Sequence, residues 1–347
     1  MKHLTRRRLA ASVGAAALLA AAAVILCPLV GYEGRGGIGL LDPHALWRGL
    51  HGQSSPDWLF WYRARLPRAL AALTVGGGLA AAGVALQAAL RNPLAEPFTL
   101  GISSGASLAA ILAFQLGVGA AALGGAGITA AALAGSALSI YLVWRLGRVG
   151  ASLPAATLLL AGITVASFCS AANMLVLELA DFGDSDRIVH WMMGSFEGTG
   201  WPGLLASALP IAAGIAVLLL RARDLNALAA GEEAAASVGV AAGRATITAF
   251  AAAALIVGAA IALGGPIGFV GLIVPHIVRG LVGPDHRVLL PTAALTGGAL
   301  LVVADSASRI VIAPDEIQVG ILTALVGAAF FLYLVVREKR SGRLWGG

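Results

Sequence analysis

Apolar residues along this chain come in blocks close to 20 residues long, separated by short polar connections rather than alternating with polar positions. At the helical rise of about 1.5 Å per residue, such a block crosses a hydrocarbon layer of about 30 Å. Ten blocks are predicted as spans: 9–30, 66–90, 98–117, 120–145, 153–178, 203–220, 244–264, 267–282, 288–306 and 316–336. The eighth is short and interrupted by Gly and Pro. The expected fold is an all-α polytopic membrane protein of about ten transmembrane helices, one domain over residues 1–347.

Composition strengthens this pattern. The chain is 59% hydrophobic and 12% charged, against about 25% charged in soluble domains. Its 46 glycines suit helices that approach closely in lipid. The net charge of +6 is accounted for by positive residues on the cytoplasmic side, with no call for nucleic acid. Of the 23 lysines and arginines, the ten-span topology puts sixteen on the side of the N-terminus and seven on the other. Both termini are therefore expected in the cytoplasm. Cys27 and Cys169 both fall in apolar spans and support neither a disulfide framework nor a metal site. The run Leu9–Val30 is too long for a usual signal-peptide core and reads as a retained first span.

The connections carry more information. Residues 31–65 bring Trp and Tyr close to the second span, which is an aromatic belt. Residues 180–202 are expected to hold a short surface helix. Spans two to five and seven to ten are each a run of four, starting on opposite sides, and each contains a Pro/Gly break: "NPLAEPFTLGISSG" and "GGPIGFVGLIVP". That arrangement reads as an inverted repeat.

Much familiar chemistry is missing. The only lysines are Lys2 and Lys339, so no phosphate-cradling P-loop can form. No Cys/His cluster has metal-ligand spacing, no cofactor motif is present, and no nucleophile–base pair presents itself. His276 reads as a structural or interfacial histidine. Glu178 and Asp305 fall near outer span ends, where water is expected to reach them, and nothing resembles a buried proton relay. This weakens an ion-coupled secondary transporter, the rival reading. Energy delivered from outside the chain needs a receiver, and "RARDLNALAAGEEAAASVGVAAG" at 221–243 is the candidate. Gly231 can separate two short helices there. On residue type alone, this segment is either a solvated loop or an amphipathic surface for a partner.

Further motifs decide the matter. "RLPRALAAL" at 65–73, "NPLAEPFTLGISSGASLA" at 92–109, "GPIGFVGLIVPHIVRGLVGPDHRVLLP" at 265–291 and Ala304-Asp305 followed by Arg309 resemble the iron-siderophore and cobalamin permease family of ABC importers, which includes vitamin B12 and haem permeases. The resemblance covers residues 60 to 336. Gln318 and Ala329 stand where the family often has proline, which concerns kinks of the last span.

Membership of that family implies a transport subunit rather than an enzyme. It implies a homodimer in the bacterial inner membrane, two copies of a separate ATPase beneath it, a solute-binding protein above it and a metal-chelate cargo. Iron-siderophore or haem is the expected cargo, with cobalamin as the alternative. The resemblance makes 221–243 the coupling segment, with Leu225, Leu228, Gly231, Glu232, Glu233, Ala235 and Gly239 as contact candidates. Arg65, Arg68 and Arg309 become candidates for docking the binding protein; without the family they read as headgroup anchors. The family also makes the fifth span a pathway wall. Thr164, Ser167, Ser170 and Asn173 recur there every third residue along one slanting helix face. Interhelical hydrogen bonding is the alternative use of Thr164 and Ser167.

Overall fold

Each of the ten apolar blocks forms a helix in the computed structural model, which describes residues 6–33, 37–53, 55–117, 126–150 and 153–340. Seven helices are long and apolar enough to cross a membrane, and three shorter apolar ones accompany them. In chain order, α1 (Arg6–Leu26) leads into a two-stranded antiparallel hairpin, β1 (Val30–Glu33) with β2 (Gly37–Leu40). This small sheet is an addition to the all-α expectation. Two short helices follow, α2 (Pro43–Leu50) and α3 (Pro56–Phe60). Asp42 and Ser55 cap them by accepting backbone N–H bonds, and a proline opens each. One wide turn at Trp61–Arg65 joins α3 to α4 (Leu66–Leu90), so the second span continues an entry helix from Pro56.

The remaining elements are α5 (Ile102–Gln115), α6 (Ala126–Gly147), α7 (Ala155–Leu179), α8 (Phe182–Met192), α9 (Trp201–Leu220), α10 (Ala222–Ala229), α11 (Glu232–Ser237), α12 (Ala242–Gly264), α13 (Val270–Val282), α14 (His286–Ser308) and α15 (Val319–Arg340). The predicted surface helix is α8. The expected start of the fourth span, 120–125, lies outside the described residues, as do Lys2, Arg35 and Arg343.

Helix α4 is the hub: 83% of its apolar window is buried, against 67% at most in any other long helix. Small residues make this burial possible. A Cβ on Gly76 would strike the Gly297 carbonyl of α14, and one on Gly83 would strike the Gly271 carbonyl of α13. The helices therefore touch backbone to backbone, the packing that small residues permit in lipid.

Two of the spans that begin later than expected do so behind an irregular break. Pro93 and Pro97 keep 91–101 out of helix, so α5 starts at Ile102 rather than at 98. Likewise 265–269 is irregular, and α13 starts at Val270. Both short helices follow a residue in the left-handed region, Gly101 (φ 71°) and Phe269 (φ 67°). From α4 to α7 the helices run 25, 14, 22 and 25 residues; α12 to α15 run 23, 13, 23 and 22. The two runs share this order of lengths, with a break before each short helix.

Candidate functional site: a polar cavity, an arginine cluster and a coupling segment

The two breaks meet. The backbone N–H of Phe269, at the start of α13, donates to the carboxyl of Glu96 in the other break. Phe269 holds a left-handed conformation that bulky residues avoid, an outlier of the kind found at functional sites. Beside this junction lies a cavity of about 500 Å³. Glu96, Ser103, Ser104, Ser107, Ser170 and Asn173 supply its polar wall, with methionines and Phe269 on the rest. Burial pushes the Glu96 carboxyl up to about 7, with the Phe269 N–H acting in the opposite sense. Ser103 and Asn173 are 1% and 3% exposed, and neither Ser103 Oγ nor Asn173 Oδ1 has a hydrogen-bond partner among the described residues. Irregular backbone and unpaired polar groups are tolerated in a span only where they are enclosed in protein or face a cavity.

Of the four expected pathway residues, Ser170 and Asn173 line this cavity. Thr164 and Ser167 are exposed on α7, away from it, and Thr164 Oγ1 donates back to the Leu160 carbonyl at 2.9 Å. The same exposed strip of α7 carries Phe168, 72% exposed, and Leu160, 66% exposed.

The three expected docking arginines come together at one end of the bundle, around a second cavity of about 420 Å³. They are engaged within the chain. Arg68 Nε donates to both Asp305 oxygens at 3.0 Å, and its Nη1 donates to Glu316 at 2.9 Å. Arg309 lies 3.5 Å from Asp305 and donates to Ser306 Oγ at 2.9 Å. Arg65 is buried, donates to the Pro28 carbonyl at 3.0 Å and stacks its guanidinium over Phe60. The expectation that water reaches Asp305 is corrected here. Its side chain is 3% exposed, because two arginines neutralise it inside the fold. Arg63, on the same cavity wall, is exposed. Glu178 is exposed as expected.

At the opposite end of α14, α10 and α11 form a bent pair. Gly231 makes the bend at φ 114°, a conformation that favours glycine. The seven coupling candidates divide by burial. Leu225, Leu228 and Ala235 are 1%, 3% and 0% exposed and pack against the chain's own helices. The apolar face of this short helix pair is thus covered within the fold rather than left open at the surface. Glu232, Glu233 and Gly239 are exposed, and Gly231 is half-buried. Glu232 pairs with Arg91 at 3.3 Å, an exposed contact.

Sequence reasoning passed over Glu96, the three serines of α5, and Asn226 of α10. The first four stand inside a motif already quoted. Their signal was a carboxylate between two prolines within apolar sequence, since an ionisable residue there calls for a function.

A polytopic helical permease is the class that this architecture defines, with paired broken helices around a polar cavity and an exposed acidic bend at one end. Comparison with known proteins narrows it: the model of the FecCD transport family matches residues 35–337, and the chain belongs to that family. It is 43% identical over 279 residues to the cobalamin import system permease of Halobacterium salinarum, covering 80% of this chain and 73% of that one. It is 40% identical over 291 residues to the hemin transport system permease of Yersinia pestis, covering 82% and 86%. A solved inward-facing structure of a putative metal-chelate type ABC transporter superposes with a TM-score of 0.79 at 30% identity, covering 94% of this chain and 98% of that one.

Proposed function

We propose that this chain is the permease subunit of a binding-protein-dependent ABC importer for a metal chelate, with haem, cobalamin and iron siderophores as the cargo class. Two copies enclose the pathway, each contributing its exposed α7 strip and its polar cavity. Two ATPase subunits engage the α10–α11 bend from the cytoplasm, where both termini lie. A solute-binding protein docks at the Arg68 end, steered by the exposed Arg63 and by the rim of the cluster that Arg65, Arg68 and Arg309 build. The membrane is the bacterial inner membrane.

The observation that carries the reading is the cavity. In a chain akin to cobalamin and hemin permeases, it offers serines, Asn173 and one carboxyl, Glu96, rather than a cluster of charges, which suits a large chelate in passage. One feature favours an ion-coupled carrier instead: Glu96 is an ionisable group beside the cavity, with its carboxyl raised to about 7. Reconstitution separates the two. Chelate uptake that needs ATP and both partner proteins supports the importer; uptake driven by a proton gradient without nucleotide supports the carrier.

A further inference from the structure

Helix α10 is attached to the bundle by more than its leucines. Asn226, on the same helix, reaches the turn that opens α14. Its Oδ1 accepts the backbone N–H of His286 at 2.8 Å. A backbone N–H can only donate, so this bond fixes which end of the amide is oxygen. The His286 ring nitrogen Nδ1, 2.7 Å from the same oxygen, therefore carries a proton and donates too. Asn226 Nδ2 donates to Asp285 Oδ1 at 2.9 Å. One side chain thus uses both of its polar ends on two consecutive residues of another element.

Those two residues are the start of α14. Asp285 caps the helix by accepting the Arg287 N–H at 3.0 Å, and the Arg287 side chain closes on it at 2.6 Å. Hydrogen bonds from Arg287 hold the Asp285 carboxyl well below the usual carboxylate range, so it remains an acceptor for Asn226 at any physiological pH. His286 is 4% exposed and Asn226 is half-buried, so the His286 side of the contact is sheltered from water while Asp285 stays partly exposed. A second polar tie between the segment and the bundle, Arg91–Glu232, is 44% and 55% exposed, a class of ion pair that holds little.

Helix α14 is in turn suited to pass on a displacement. It lies against α4 backbone to backbone at Gly76 and Gly297, which leaves no side chains to yield between them. Its far end carries Asp305, clamped by Arg68 of α4 and by Arg309. From His286 to Asp305 the helix spans about 29 Å at 1.5 Å per residue.

We infer that Asn226 is a positioning residue through which the coupling segment moves α14, linking the α10–α11 bend to the arginine cluster at the other end by one continuous helix, which carries Pro291 between the two ends. The inference rests on the importer reading, since something must push the bend. A continuous helix gripped by polar side chains at both ends supplies the contiguous physical connection that coupling between distant sites uses.

The test uses the full complex of permease, ATPase and binding protein in lipid nanodiscs and proteoliposomes. Asn226→Asp sets a carboxylate against Asp285 and removes the donor; Asn226→Ala removes the contact without adding charge. Each is expected to keep basal ATP hydrolysis, while binding-protein stimulation and uptake fall by about tenfold, within the usual range of coupling factors. Asn226→Asp combined with Asp285→Asn exchanges donor and acceptor, and asparagine still caps α14. This pair is expected to restore most of the stimulation and uptake. Normal uptake in both single variants, a double variant no better than Asn226→Asp, or failure of both single variants to assemble with the ATPase would each overturn the inference. Absence of ATP-dependent uptake in the unmodified complex would instead overturn the importer reading.

Discussion

Replacing Glu96 by Gln should change how the stability of this protein responds to pH. In the unfolded chain Glu96 titrates near its ordinary value of 4.5; in the fold, burial beside the cavity raises it to about 7. The fold therefore prefers the protonated form. That preference contributes its full stabilisation below pH 4.5 and is lost as pH rises through 7. The difference between the two values, at about 1.4 kcal/mol per unit, makes the contribution about 3.5 kcal/mol at most, and less where solvent enters the cavity mouth. Among the described residues, Glu96 is the only ionisable one on the cavity wall, so no neighbour there takes over the titration. Gln keeps the carbonyl that accepts the Phe269 N–H and is neutral at every pH. The assay is thermal unfolding in nanodiscs from about pH 5 to about pH 8.5. Below pH 5 the two proteins should melt alike; above pH 7 the Gln variant should melt several degrees higher. Infrared titration of the Glu96 carboxyl band, absent in the variant, gives the same midpoint directly. Parallel melting curves across the range would refute both the burial argument and the placement of Glu96 at the junction.

Asp305→Ala leaves Arg309 without a carboxylate inside the fold and Arg68 with Glu316 alone, and should cost about 3–5 kcal/mol, whereas replacing Asp305, Arg68 and Arg309 together by apolar residues should recover most of it; thermal melts of the two variants decide. Gly76→Leu should abolish folding, because its Cβ meets a backbone carbonyl of α14, while Gly14→Leu, with open space around it, should express normally; yield of monodisperse protein is the readout. Gly231→Val forces a side chain into φ 114° and should cost about 1–3 kcal/mol locally, with stimulated ATP hydrolysis reduced in the assembled complex. Glu232→Lys with Glu233→Lys, both exposed, should leave the permease folded and lower its affinity for the ATPase, measured by co-purification at low and high salt.

The ten helices were legible because blocks of Ala and Leu admit few other structures in lipid, and the bend at 231 because glycine between two amphipathic stretches has few other uses. What escaped the sequence was pairing across long separations. Arg68 and Asp305 are 237 residues apart, and each alone reads as an end-of-span charge that water can reach. Asn226 looks like any polar residue on a surface helix until the turn at Asp285 is placed beside it. Burial of Leu225, Leu228 and Ala235 was equally hidden, because an apolar face says that something will cover it, not what. The late starts of α5 and α13 were half visible: the prolines marked the breaks, but only their meeting made a cavity of them.

The central claim is that this chain moves a chelate with energy supplied by a separate ATPase through the α10–α11 bend. The most direct test is uptake of labelled haem, cobalamin or ferric siderophore into proteoliposomes holding the permease with its ATPase, with binding protein on the docking side. The account predicts accumulation of one chelate class that requires ATP, requires the binding protein and is lost in the Glu232→Lys, Glu233→Lys variant. Accumulation by the permease alone under an imposed proton gradient, unaffected by that variant, would contradict it.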